Sequence, residues 1–132
     1  GPTVYPEDLL YTKSHEWVKV EDHRAIVGVT SYAQDQLVEV VFVELPEEGK
    51  EVKAGDAVAT LESVKAVADV YAPVSGKIIE VNKQLENQPE LVNQDPYGEG
   101  WIFVIEIAGE EELHTLMKVS DYQSLIENEL KP

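Results

Sequence analysis

Glycine and proline recur through the middle of this 132-residue chain at intervals too short for a long helix. Pro46-Glu47-Glu48-Gly49, Ala54-Gly55-Asp56, Pro73-Val74-Ser75-Gly76 and Gln88-Pro89 each carry turn chemistry. Proline lacks the N–H that a helix or a central ladder needs, and glycine supplies the positive φ of tight turns. Between these marks lie short runs rich in β-branched residues. Val38 to Leu45, ended by Pro46, reads as a well-buried strand. Val58 to Leu61, Val67 to Ala72, Lys77 to Val81 and Trp101 to Ile107 supply further strands. Strands this short and frequent predict a sandwich or barrel.

The flanking segments fit around that centre. Tyr11 to Val20 opens with strand formers, Glu21-Asp22-His23-Arg24 reads as a turn, and Ala25 to Val29 returns as a strand. Ser31 with Gln34 fits a capping box and predicts a short helix from about Tyr32 to Leu37. Beyond Gly109 the apolar spacing turns helical, through Leu113, Leu116 and Met117 and then Tyr122, Leu125, Ile126 and Leu130. Ser120 with Gln123 reads as a second capping box. The expected organisation is one mainly β domain over residues 1–132, with a sheet core from about 3 to 109 and a helical tail from about 110 to 132. Gly1-Pro2 reads as the scar of a removed purification tag. Residues 57–70 leave a choice open. They are rich in Ala and Val, and Glu62-Ser63-Val64-Lys65-Ala66 has no Gly, Pro or Asn to mark a turn, so propensity allows a helix as well as a hairpin.

Charge and composition narrow the function. The formal net charge is −16, from 26 acidic and 10 basic residues, with an isoelectric point near 4.3. Phosphate affinity comes from clustered Lys and Arg, so this balance argues against nucleic acid and anionic membranes as partners. The charge either keeps the chain soluble or steers it toward basic partner surfaces. There is no cysteine, which excludes disulfides, thiolate metal sites and cysteine nucleophiles. No apolar stretch approaches the length of a membrane span, and no signal-peptide order opens the chain, so an intracellular domain is expected. His15, His23 and His114 lack metal spacing and read as surface residues. Gly98 and Gly100 read as turn residues, and no serine stands in a Gly-x-Ser-x-Gly frame. Trp17 and Trp101 read as core aromatics. The chain looks like something other proteins act on, with no catalyst of its own.

Lys65 is the candidate for that action. It is the only lysine between Lys53 and Lys77, bracketed by Glu62 and Asp69. If the runs on either side pair as a hairpin, its amine projects from the tip into water, where an enzyme can acylate it. Taken alone, a single exposed lysine in an acidic chain is more simply a solvated charge. The nucleophile, its flexible stem and the loss of charge on acylation are what a carrier needs.

Glu62-Ser63-Val64-Lys65-Ala66, followed by Asp69, Pro73 and Ser75-Gly76, resembles the lipoyl attachment segment of the glycine cleavage H-protein family. Tyr11 to Val18, Gly28-Val29-Thr30 with Tyr32-Ala33-Gln34, Val41 to Pro46, and Leu91 to Trp101 resemble further family segments in the same order. The resemblance implies a hybrid lipoyl-domain barrel sandwich of short antiparallel strands, with the modified lysine at a hairpin turn and a helical C-terminal tail. It implies lipoate in amide linkage to Lys65. It also implies a carrier that takes an aminomethyl group from the pyridoxal-phosphate enzyme glycine decarboxylase to a tetrahydrofolate-dependent aminomethyltransferase. Dihydrolipoamide dehydrogenase would reoxidise the dithiol, and a lipoate-attaching enzyme would modify Lys65. The loaded arm would fold into a cleft held by Ser14, Glu16 and Asp69. A monomer is implied, in the cytoplasm of a bacterium or in a mitochondrial matrix after loss of a transit peptide.

The chain departs from the family pattern at three places. Val38-Glu39 stands where many relatives have glycine and an acid, Gln36 stands where some have a histidine lining the cleft, and Ile102 to Ile105 is apolar where lysines are common. The last change predicts a more buried strand or a contact surface. A lipoyl or octanoyl donor in a lipoate relay fits the same residues. A biotin carrier fits worse, since Val64 and Ala66 flank Lys65 in place of methionines. An unmodified acidic interaction module is the alternative outside the carrier class.

Overall fold

The computed structural model describes residues 5–130, so Gly1-Pro2, read above as a scar, lies outside the described residues. Strands β1 (Leu10–Tyr11), β2 (Glu16–Glu21) and β3 (Arg24–Val29) lead to helix α1 (Ser31–Leu37). Then come β4 (Val40–Glu44), β5 (Glu51–Val52), β6 (Ala57–Ser63), β7 (Val67–Tyr71) and β8 (Gly76–Val81). Short helices α2 (Gln84–Asn87) and α3 (Leu91–Gln94) precede β9 (Phe103–Ile107), a 3₁₀ segment (Glu110–Thr115) and helix α4 (Val119–Leu130). All strand pairs are antiparallel, in a sheet ordered β1-β2-β3-β9-β8-β5 and a three-stranded sheet ordered β4-β6-β7. This is the mainly β, two-sheet sandwich with a C-terminal helix that the turn spacing and the resemblance imply.

Two apolar clusters fill it, and they differ in chemistry. The larger is aliphatic and lies between the sheets, joining Val27, Val29 and Ile105 to Val43, Leu61 and Val70. Alternation explains the partition: Ala59, Leu61 and Val70 point inward while Thr60, Glu62, Val67 and Asp69 point outward. The second is largely aromatic, with Tyr5, Tyr11 and Trp17 covered by Tyr122 and Ile126 of α4. Trp17 faces Gly28 across β2–β3, and a Cβ there would lie 2.6 Å from the indole. Glycine is required at that position by close approach. Ile102 to Ile105 is buried throughout, as its apolar character predicts.

Four local readings need correction. The first helix is capped by Thr30, whose hydroxyl accepts from Ala33 N–H at 3.2 Å. Ser31 is already helical and hydrogen-bonded to Tyr97, so it is not the cap. Ser120 likewise lies inside α4, and Met117 is extended, bridged to Tyr11 by backbone bonds of 2.8 Å. Helical spacing at 113–117 therefore marks a 3₁₀ turn followed by extended chain. Finally, β4 is only half-buried: Val40 and Val43 face the core, while Val41 and Phe42 are exposed beside a bulge.

Candidate functional site

Residues 57–70 form a hairpin, with Glu62 paired to Val67 and Ser63 N–H donating to Ala66 O at 2.8 Å. Val64 and Lys65 make the reversal. The turn needs no glycine because the Ser63 side chain holds it. Its Oγ accepts from the N–H groups of Lys65 at 3.1 Å and Ala66 at 2.9 Å, and donates to Ala66 O at 3.1 Å. Neither tip residue has positive φ; among the described non-glycine residues only His15, Asp22 and Val38 do. A serine at the first turn position can replace a glycine signal in this way. Lys65 is exposed and takes part in none of the ion pairs among the described residues. Val64, 73% exposed, and Val67, 65% exposed, flank it.

Beside the same hairpin lies a cleft of about 180 Å³, lined by Ser14, His15, Val29, Ala33, Gln36, Leu37, Leu61, Ala68, Asp69 and Val70. Ala68 is three residues along β7 from Lys65, roughly 10 Å at strand rise. Ser14 and Asp69 thus both line a mostly apolar hollow near the lysine, Asp69 at its rim because its side chain stands on the outward face of β7. Glu16 is placed differently. It is 1% exposed and lies behind Ser14, along a wider groove beside Tyr71. Its carboxylate accepts from the Thr12 hydroxyl, from Ser14 Oγ at 2.7 Å and from Tyr71 N–H at 3.1 Å.

That arrangement fixes the polarity of Ser14. Its proton is committed to Glu16, so its oxygen offers lone pairs outward. Asp69 offers carboxylate oxygens, one of them only loosely held by Thr60 Oγ1 at 3.4 Å. The hollow therefore presents acceptors, which suit a cationic amine. A larger groove of about 640 Å³ runs along β5 and β8 among Glu51, Lys53, Asp56, Lys77 and Glu106, and shares no residue with the hairpin tip.

The family model of the glycine cleavage H-protein matches residues 9–129. The chain belongs to the glycine cleavage H-protein family. The glycine cleavage system H protein of Thermotoga maritima is 58% identical over 119 residues, covering 90% of this chain and 96% of that one. Its counterpart from Coprothermobacter proteolyticus is 55% identical over 121 residues, covering 91% and 95%. The crystal structure of a glycine cleavage system H protein from Mycobacterium marinum matches with a TM-score of 0.84 and 38% identity, over 96% of this chain and 100% of that chain. The architecture of the chain is accordingly the lipoyl-domain barrel sandwich.

Sequence reasoning missed one lining residue of this H-protein. His15 reads as a surface residue, but it is half-buried and walls the cleft. The available signal was its position between Ser14 and Glu16. An imidazole therefore reaches the cleft from the N-terminal segment, while Gln36 lines it from α1.

Proposed function

We propose that this protein is the lipoyl-bearing carrier of a glycine cleavage system, with Lys65 as the attachment point. The observation that carries this reading is the placement of an exposed Lys65 amine, in no ion pair among the described residues, at the tip of a serine-held hairpin whose strands line a cleft edged by acceptors. Acylation abolishes the lysine charge, and among the described residues Lys65 has no ion pair to give up in becoming modified. The tip thus fits an amide-linked lipoyl group. Such a group, when bound, supplies a disulfide that accepts electrons and a one-carbon unit at sulfur.

The residues of the chain then position and protect. Ser63 keeps the attachment point in one conformation for the lipoate-attaching enzyme. Asp69 and the outward lone pairs of Ser14 hold an amine-bearing cargo as its ammonium. Val29, Leu37, Leu61 and Val70 keep water from its carbon. Glu16 orients Ser14 from behind. The partners in this reading are glycine decarboxylase, aminomethyltransferase and dihydrolipoamide dehydrogenase, each reached by tethered transfer at high effective concentration. The acidic surface favours approach to basic docking faces.

Treatment with a lipoate-attaching enzyme, followed by intact-mass and peptide analysis, should place one lipoyl-amide increment on Lys65. Lys65→Arg keeps the charge and should abolish both the increment and glycine-dependent turnover in a reconstituted system. A lipoyl group on another lysine, or turnover that survives Lys65→Arg, removes the assignment.

A further inference from the structure

Two walls of the cleft are held by a single hydroxyl from the far end of the chain. Tyr122 lies in α4, fully buried, and its hydroxyl is 2.8 Å from His15 Nδ1 and 2.7 Å from Thr30 Oγ1. His15 lines the cleft itself. Thr30, also fully buried, caps α1, and α1 contributes Ala33, Gln36 and Leu37 to the opposite side. His15, in the bend just before β2, has φ +74, a left-handed backbone sparsely used by residues other than glycine, which persists only with support from its surroundings.

His15 Nε2 lies 3.3 Å from Glu129 Oε2, and a carboxylate there requires a proton on Nε2. In the neutral ring Nδ1 is then the acceptor, Tyr122 donates to it, and Thr30 donates to Tyr122. Burial pushes the Tyr122 phenol up from its ordinary value, against the opposing hydrogen bond from Thr30, so the bridging proton stays on oxygen. The Tyr32 ring packs on the other side of the imidazole, at 4.7 Å between centroids.

We propose that Tyr122 is a positioning residue for the cargo cleft, its hydroxyl fixing the His15 wall and the α1 wall at a spacing that excludes water. The inference rests on the reading of Ser14 and Asp69 as the groups that hold the cargo.

Tyr122→Phe removes the hydroxyl and keeps the ring, which stacks on Tyr11 at a centroid distance of 4.6 Å and therefore preserves the aromatic cluster. Loss of cargo to water is followed as formaldehyde and ammonia, with one water consumed per cargo released and the thiol regenerated. It should run about three- to tenfold faster in Tyr122→Phe, the loss of roughly one hydrogen bond. A second readout needs no cargo: amide hydrogen exchange at Ala33, which donates to Thr30, should quicken. Ile126→Val thins the packing of the same helix without touching the hydroxyl. It should lower thermal stability and leave cargo release unchanged. Equal acceleration by Tyr122→Phe and Ile126→Val would assign the effect to helix packing and overturn the proposal. Asp69→Asn separates the two readings. If it speeds release while Tyr122→Phe does not, the positioning role alone fails. If Asp69→Asn leaves release unchanged, the cargo-cleft reading fails and takes the role of Tyr122 with it.

Discussion

Two bends without glycine lie side by side at one end of the three-stranded sheet, since Val40, just past the first, pairs with Ser63, which opens the second. The hairpin at Val64-Lys65 has negative φ at both tip residues and is held by the hydroxyl of its own first residue. The bend at Val38 has φ +68 and ψ −115, a conformation that a β-branched side chain strongly resists. It is held from a distance by the Asn93 side chain. Asn93 Nδ2 donates to Val38 O and to Gln34 Oε1 at 2.9 Å, and its Oδ1 accepts from Val40 N–H at 2.9 Å. The Lys65 tip is thus locally encoded and relaxed, while its neighbour is imposed by tertiary contacts and strained. Such strain persists only where the surroundings over-determine it, and here one amide supplies much of that determination.

Removing that amide should separate the two bends most clearly. Asn93→Ala leaves the amide of buried Val40 without its acceptor and frees Val38, so a loss of about 2–3 kcal/mol is expected by denaturant unfolding. Combining it with Val38→Gly should recover more of the loss than Val38→Gly gains alone, because glycine adopts positive φ unaided; strict additivity would argue against the coupling. Val38→Gly alone should stabilise by about 1 kcal/mol, the relieved strain exceeding the added chain entropy. A loss of stability would show that the exposed valine makes contacts that outweigh its backbone. Ser63→Ala acts on an exposed turn where water can replace the hydroxyl, so its cost should be only about 0.5–1 kcal/mol. Its signature should be kinetic, as slower enzymatic acylation of Lys65, with Ser63→Asp restoring the rate.

The same contrast explains what was legible in the sequence. Strand number, spacing and alternation follow from Gly, Pro and β-branched residues, and the structure keeps them. The tip itself gave no propensity signal, because the turn device is a serine side chain bonding to backbone two and three residues on. Resemblance, rather than composition, resolved hairpin from helix. The conformation of Val38 could not be read from its neighbours, since its anchor lies in α3, 55 residues away. Nor could the cleft. Ser14 lies in the β1–β2 turn and Asp69 in a strand of the other sheet, and the His15 wall depends on Tyr122, 107 residues later. The misplaced helix cap has a simpler cause: Thr30 and Ser31 are both good caps, and the Tyr97 hydroxyl draws Ser31 away.

Asn93 and Glu16 have one more effect in common. The three-stranded sheet has β4 and β7 as its edges, and an open edge is a template on which another chain can add a strand. Asn93 occupies the outward amide of Val40 on one edge, and Glu16 occupies that of Tyr71 on the other. A carrier that visits several enzymes in turn, as proposed above, must meet other surfaces constantly without joining them. With a side chain from elsewhere in the fold seated on each margin, the sheet that carries Lys65 can be approached at its tip and is guarded against polymerising along its sides.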